Sequence, residues 1–473
     1  MNSSRRVFLQ RSLVAASASA LWTSLPAHAA DSALSSPLHV TLTAQNRFDQ
    51  PLEPLHWGAP AGAGMGYIEL DETDRRQRVQ GFGAAFTDSS CYLMAQMPAE
   101  ARQQLLAEFF GAEGMRLSMG RTCIGASDYA RSLYSLDDSP TPDPELKNFS
   151  IAHDRAYILP VLRQALAIQP ELFLFSAPWS PPGWMKAGGS MLGGSMQKRY
   201  FAAYAQYFVR FLEAYRSEGV PIRAVTTQNE VDTDQESRMP AALWGQEYET
   251  AFVKSFLGPA LRAHKLDTEI WLLDHNYDLW GRVMDQLSDP ELAQFVSGVA
   301  WHGYAGDPQA MTRVHNAFPS KAAYWTEGGP DYTNADYETD WAAWGARFAG
   351  VLKNCSRSIV AWNLVLDEHG QPKIGPFDCG GLVTLDSHSG QIRRSGQYHA
   401  LRHYARAIAS GAQILGTRST AAHVEHVAAV QPDGSFALLL TNQGPEQAVQ
   451  VRFRDRASTV VLPANAIVSL AWS

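Results

Sequence analysis

Eight short runs of β-branched, aromatic and other apolar residues recur along this chain, each stopping at polar or glycine residues and each followed by a stretch with helical periodicity. They read RVQGFGAAFTD (78–88), MRLSMGRTCIG (115–125), ELFLFSAPWS (171–180), PIRAVTTQNE (221–230), EIWLLDHN (269–276), VSGVAWHGY (296–304), KAAYWTEG (321–328) and SIVAWNLVL (358–366). Alternation of this kind is that of βα units, and eight strands is the count that closes a parallel (β/α)₈ barrel. The glycines of the first run allow a close backbone approach. Among the helices, 195–219 places Tyr200, Tyr204, Phe208, Phe211 and Tyr215 at spacings of three and four, with Ser195 as its N-cap and Gly219 as its stop. Those aromatics read as core.

Two runs differ from the rest in how they end. PIRAVTTQNE stops at Gln228, Asn229 and Glu230, and the run beginning at Lys321 delivers Glu327 followed by Gly328 and Gly329. A glutamate at a strand end is, taken alone, more often a solvated surface group. Here both sit in aromatic, glycine-bearing company at strand ends three βα units apart, on the face of a barrel where chemistry is done. Glycoside hydrolysis is a reaction that needs such a pair of carboxyl groups.

The segments GFGAAFTDSS (81–90), RTCIGASDYA (121–130), SAPWSPPGWMK (176–186), TTQNE (226–230), WHGY (301–304), WTEGG (325–329) and AWNLVLDEHG (361–370) together resemble glycoside hydrolase family 30, in its glucosylceramidase-like branch. The resemblance runs in order from about residue 80 to the C-terminus. It implies a retaining, exo-acting β-glucosidase of glucosylceramidase type, with Glu230 as acid/base and Glu327 as nucleophile. It also implies substrate contacts from Arg121, Asp128, Trp179, Asn229, His302, Tyr304, Trp362 and Asn363. On this reading Arg121 and Tyr304 keep Glu327 ionised, while partial burial and the charge of Glu327 raise Glu230. Trp179 and Trp362 would offer apolar faces to the sugar. The sequence departs from the family pattern after the acid/base, where Val231-Asp232-Thr233-Asp234 stands in place of a frequent proline, and in the loop 374–380. Those departures leave the substrate open between a β-glucoside, a β-xyloside, a β-1,6-glucan and xylan.

The remaining sequence sets the frame. Residues 1–29 read as a twin-arginine export signal, with Arg5-Arg6, an apolar stretch too short for a membrane span and an Ala27-His28-Ala29 cleavage site, which implies a periplasmic or secreted product without a stable membrane anchor. Residues 30–77 read as a linker and one strand, HVTLTAQ (39–45), followed by proline- and glycine-rich turns; the resemblance assigns that strand to a C-terminal sandwich. Residues 78–410 read as the barrel, closed by a helix at about 395–410. Residues 411–473 alternate short strands with turns and read as a small antiparallel β-sandwich. A formal charge of −8 with only 18% charged residues, and no basic cluster after the N-terminus, gives no footprint for nucleic acid. The expected partner is a carbohydrate or glycolipid.

Four cysteines make no disulfide framework in a chain of 473 residues, and all four read as free buried thiols. No cofactor or metal is expected. A metal-dependent barrel hydrolase using Asp274, His275 and His302 would want a histidine pair after the first strand, which GFGAAFTD lacks. The loops 137–148 and 188–194 read as the flexible segments beside the site. A non-catalytic carbohydrate-binding barrel is the remaining alternative, and the presence of both carboxyl groups argues against it.

Overall fold

The computed structural model describes residues 36–60, 62 and 64–473; the proposed export segment lies outside them. Three strands come first: β1 (Leu38–Ala44), β2 (Arg47–Leu55) and β3 (Tyr67–Arg78). The barrel strands follow as β4 (Gly81–Phe86), β5 (Met119–Cys123), β6 (Phe173–Ala177), β7 (Ile222–Thr226), β8 (Glu269–Asn276), β9 (Val296–His302), β10 (Ala322–Glu327) and β11 (Ser356–Ala361). All eight pair in parallel and close on themselves between β11 and β4. Gly83 makes one of these pairings possible, since a Cβ there would overlap the carbonyl of Met119 on β5.

Period-two alternation fixes what the barrel holds. Its lower interior is one apolar layer with a side chain from seven strands: Met119, Phe175, Ala224, Trp271, Ala300, Tyr324 and Val360. Trp271 and Tyr324 stack there with centroids 3.9 Å apart. Two residues further along, the inward positions become Arg121, Thr226, His302, Thr326 and Trp362, so the interior turns polar just below the opening. On β8 the same rule would point Leu273 inward. Instead β8 has a register irregularity between Leu273 and His275, with both Leu273 (φ 74) and Asp274 (φ 47) in left-handed conformation. The bulge leaves Leu272 and Leu273 in the outer core and turns the Asp274 carboxylate into the barrel.

Beyond the barrel, β12 (Val365–Leu366), β13 (Val383–Leu385) and β14 (Ile392–Arg394) form a small sheet. Then come β15 (Gln413–Ser419), β16 (Val424–Val430), β17 (Phe436–Asn442), β18 (Gln447–Phe453), β19 (Arg456–Leu462) and β20 (Ala466–Trp472). With β1–β3 they make a nine-strand order, β19-β18-β3-β15-β16-β17-β20-β1-β2. Leu42, Leu70, Leu438, Val451, Val460 and Leu470 share one core, and β19 meets β2 and β20, so the strands curl over that core as two layers.

The N-terminal region therefore supplies three sandwich strands where the sequence suggested one. β2, RFDQPLEPL, holds two prolines and sits at the edge of the order, where a missing N–H costs no ladder bond. β3 is inserted between β15 and β18, and its second half, ETDRRQR, is too charged to read as a strand. Helix 195–219 also shortens, to Phe201–Ser217 after a 3₁₀ turn at Lys198–Tyr200. Ser195 does not cap it; it bridges to Leu243 instead. Gly219, with φ 77, does stop it, and the five aromatics are buried.

No cysteine is paired; Cys91 and Cys123 are buried, while Cys355 and Cys379 are partly exposed, contrary to the expectation that all four are buried. Alkylation after unfolding without reductant is expected to label four thiols per chain by mass spectrometry, and a lower number would contradict the assignment.

Candidate active site

Arg121, in the middle of β5, is the fixed point of the site. Its side chain is fully buried, and its guanidinium donates to Asn229 Oδ1 (2.8 Å), to Asp274 Oδ2 (2.7 Å) and to Glu327 Oε2. Trp179 lies over the guanidinium at 4.7 Å and stacks on Trp362, centroids 5.2 Å apart. The two tryptophans line the cavity but are nearly covered, so much of their surface is spent on Arg121 and on each other rather than on open sugar faces.

Asp274 completes the charge arrangement. It accepts from Arg121, from Thr226 Oγ1 (2.8 Å), from Thr326 Oγ1 (2.8 Å) and from His302 (3.0 Å). Burial alone would raise its pKa, but Arg121 and the hydrogen bonds outweigh burial and hold it well below the ordinary carboxylate range. Asp274→Asn keeps the shape and removes the charge from a buried ion pair, so it is expected to cost about 3 kcal/mol, read as a lower urea midpoint. An unchanged midpoint would contradict this role.

Glu327 is reached by Arg121 on one oxygen and by the Tyr304 hydroxyl on the other, at 3.0 Å. The Tyr304 ring is 45% exposed at the cavity rim while its hydroxyl points in. Glu230 follows β7 in left-handed conformation (φ 53), a strained state for a non-glycine residue. Its N–H donates to Asp274 O (2.9 Å), and the N–H of Asn229 donates to Pro178 O (2.8 Å), which pins the turn between two neighbouring strands. Gln235 Nε2 donates to Glu230 Oε2 (2.7 Å), while His302 Nδ1 and His275 Nδ1 lie 3.4 and 3.8 Å from Oε1.

The electrostatics of Glu230 differ from the sequence expectation. Burial raises its pKa, but the neighbouring His302, His275 and Gln235 outweigh burial and leave it below the ordinary value. For His302, burial lowers the pKa, but the carboxylates of Glu327, Asp274 and Glu230 outweigh burial and raise it to about 9. A single imidazole thus serves both glutamates, with Nε2 3.8 Å from Glu327 and Nδ1 toward Glu230.

A cavity of about 420 Å³ opens above these groups. Asp128, Trp179, Asn229, Glu230, Tyr304, Glu327 and Trp362 line it, so seven of the ten sequence candidates meet there. Asp128 is 4% exposed, with one carboxylate oxygen unpartnered, and burial followed by the charges of Glu327 and Glu230 pushes its pKa well up. Arg121 and His302 sit behind the lining. Asn363 does not line the cavity: it is buried, in left-handed conformation (φ 46), and accepts from Thr87 Oγ1 at 2.9 Å. The loops 137–148 and 188–194 contribute no lining residue either. Their place is taken by Thr233, Gln235 and Met239 after β7, by His275 and Asn276 on β8, and by Phe377 and Cys379. The segment 188–194 stands a step further out, bridging to Pro240 through Leu192.

A closed parallel barrel with two carboxyl groups and a buried arginine under one cavity is the apparatus of a sugar-cleaving hydrolase. The chain belongs to glycosyl hydrolase family 30: the model of the family's TIM-barrel domain matches residues 79–408 and that of its beta sandwich domain matches 411–470. It is 33% identical over 440 residues to an endo-1,6-beta-D-glucanase of Neurospora crassa, covering 86% of this chain and 90% of the relative. It is 27% identical to the lysosomal acid glucosylceramidase of Mus musculus, over 81% of this chain and 78% of that one. Among solved structures, an endo-beta1,6-glucanase superposes with a TM-score of 0.84 at 28% identity, over 92% of this chain and 99% of the other. Among the described residues, no helix is long and apolar enough to cross a membrane.

Proposed function

We propose that this glycoside hydrolase is a retaining β-glycosidase acting on β-1,6-linked glucan, with Glu327 as nucleophile and Glu230 as acid/base. The observation that carries the linkage is the likeness to β-1,6-glucanases along nearly the whole length in both sequence and structure. This reading replaces the exo-acting glucosylceramidase type that the resemblance alone implied.

The geometry supports the roles. In the first step the Glu327 carboxylate attacks the anomeric carbon while Glu230 gives a proton to the leaving oxygen; in the second, Glu230 takes a proton from water, which attacks the glycosyl-enzyme. Arg121 and Tyr304 hold Glu327 and disperse its charge. His302 stands between the two glutamates, with Nδ1 3.4 Å from Glu230 and Nε2 3.8 Å from Glu327, so its imidazole can balance the charge of whichever carboxylate is ionised at each step. Asn229 and Asp128 are placed to hydrogen-bond sugar hydroxyls, and a bond to the 2-hydroxyl that strengthens in the transition state raises the rate rather than only the affinity.

A second reading, a glucosylceramide-type substrate, is favoured by two apolar lining residues left open at the rim, Tyr304 and Phe377 (39% exposed). Initial rates on a linear β-1,6-glucan, glucosylceramide, an aryl β-xyloside and xylan separate the readings. The proposal requires the β-1,6-glucan to be the best substrate, with oligosaccharides as early products; preference for glucosylceramide, or release of glucose alone, would overturn it. Export by the twin-arginine route is supported by Arg5-Arg6 and the apolar stretch after it. N-terminal sequencing of exported protein is expected to begin at Ala30.

A further inference from the structure

Among the described residues, Glu230, His275 and His302 form a group of three donors whose oxygen and nitrogen atoms all lie within 4.8 Å of one another. Two features make the group more than a cluster. Nδ1 of His302, a fully buried residue, and Nδ1 of His275 are both buried without a hydrogen-bond partner, and both face Glu230 Oε1. In addition, the other ring nitrogen of His302 is 3.0 Å from Asp274 Oδ1. A carboxylate accepting from Nε2–H leaves Nδ1 as the nitrogen that can give its lone pair to an ion in exchange for any proton it carries, as outer carboxylates do for metal-bound histidines.

We infer that Glu230, His275 and His302 form a binding site for a borderline-soft divalent cation of the zinc class, and that the cation inhibits the enzyme by occupying its acid/base. Two nitrogens, one carboxylate oxygen and a fourth position open to the cavity are the donor set of a three-ligand zinc site. Ligands at ~2.0–2.1 Å from a tetrahedral ion lie about 3.4 Å from each other; the two imidazoles are 3.4 and 3.8 Å from Glu230 and all three donors lie within 4.8 Å, so side-chain rotation has to draw them together by no more than about 1.4 Å. The surroundings are acidic: Arg121 is already paired with Glu327 and Asp274, and Glu230 supplies a further carboxylate at the triad itself. Nothing in the proposed turnover uses the ion. Bound, it takes the carboxylate oxygen that must carry a proton, and displaces the His302 proton beside it. Magnesium and calcium, which prefer all-oxygen shells, fit the two imidazoles poorly.

The inhibition rests on the role proposed for Glu230, whereas the binding does not, and the experiment keeps them apart. Tag-free, chelator-stripped full chain is titrated with Zn²⁺ in a calorimeter and with Co²⁺ in a spectrophotometer, alongside His275→Gln and Glu230→Gln, each checked for folding by circular dichroism. The stripped enzyme is expected to be fully active, to bind one Zn²⁺ per chain and to give the visible bands of four-coordinate Co²⁺. Each substitution is expected to weaken binding by about tenfold or more. Hydrolysis should fall by about 100-fold at saturating Zn²⁺, the contribution typical of a general acid–base group, and return with EDTA. Absence of the site, or binding that survives both substitutions unchanged, overturns the inference. Binding at the triad with undiminished hydrolysis keeps the site and refutes the role of Glu230.

Discussion

Glu327→Gln is expected to lower kcat/KM by about 10⁴-fold or more on every glycoside, which is about 5.5 kcal/mol of lost transition-state stabilisation. The amide has nearly the same shape and cannot form a glycosyl ester, so activating the leaving group should give no relief. The fold should survive, because Arg121 keeps Asp274 and Asn229 as partners. The smaller Glu327→Ala leaves space beneath the anomeric carbon, and azide placed there should restore turnover of an activated β-glycoside and yield the α-azide. Retention of activity above about one part in a hundred in Glu327→Gln, with the protein folded, would mean that Glu327 is not the nucleophile.

Glu230→Gln is expected to separate substrates that Glu327→Gln treats alike. With a dinitrophenyl leaving group little protonation is needed, so the glycosyl-enzyme should still form, while natural glucan should lose about 10²- to 10⁴-fold. Deglycosylation then lacks its base and the intermediate should accumulate, giving a burst in released phenol. Azide needs no deprotonation and should accelerate the second step, returning the β-azide by attack on an α-linked intermediate. An α-azide from the Glu230 variant together with a β-azide from the Glu327 variant would exchange the two roles.

What was legible in the sequence follows from what periodicity can and cannot carry. The barrel strands are short, apolar and regularly spaced, and the glutamates close two of them, so fold and carboxyl pair could be read from local pattern. β2 and β3 could not, because prolines at an edge and a charged half-strand conceal β-structure that only pairing supports, of β2 with β1 and of β3 with β15 and β18. The bulge on β8 is equally hidden: EIWLLDHN reads as an unbroken strand, and no glycine marks Leu273 and Asp274 as left-handed. That one irregularity places Asp274 beside Arg121 and ends the strand with His275 close to Glu230. The direction of the Glu230 shift was misread for the same reason, since the two imidazoles that set it come from β8 and β9 and meet Glu230 only in three dimensions. Gln235, Met239, Phe377 and Cys379 lie in aperiodic loops, where sequence offers no signal for which residues face the cavity.

Double displacement on a β-1,6-glucan by Glu327 and Glu230 is tested most directly by the anomeric form of the first product. Proton NMR recorded within the first minutes of hydrolysis of a linear β-1,6-glucan, before mutarotation equilibrates the new reducing ends, should show the β-anomer appearing first and the α-anomer only later. Initial release of the α-anomer would contradict the account, because it requires direct attack by water in a single inverting step.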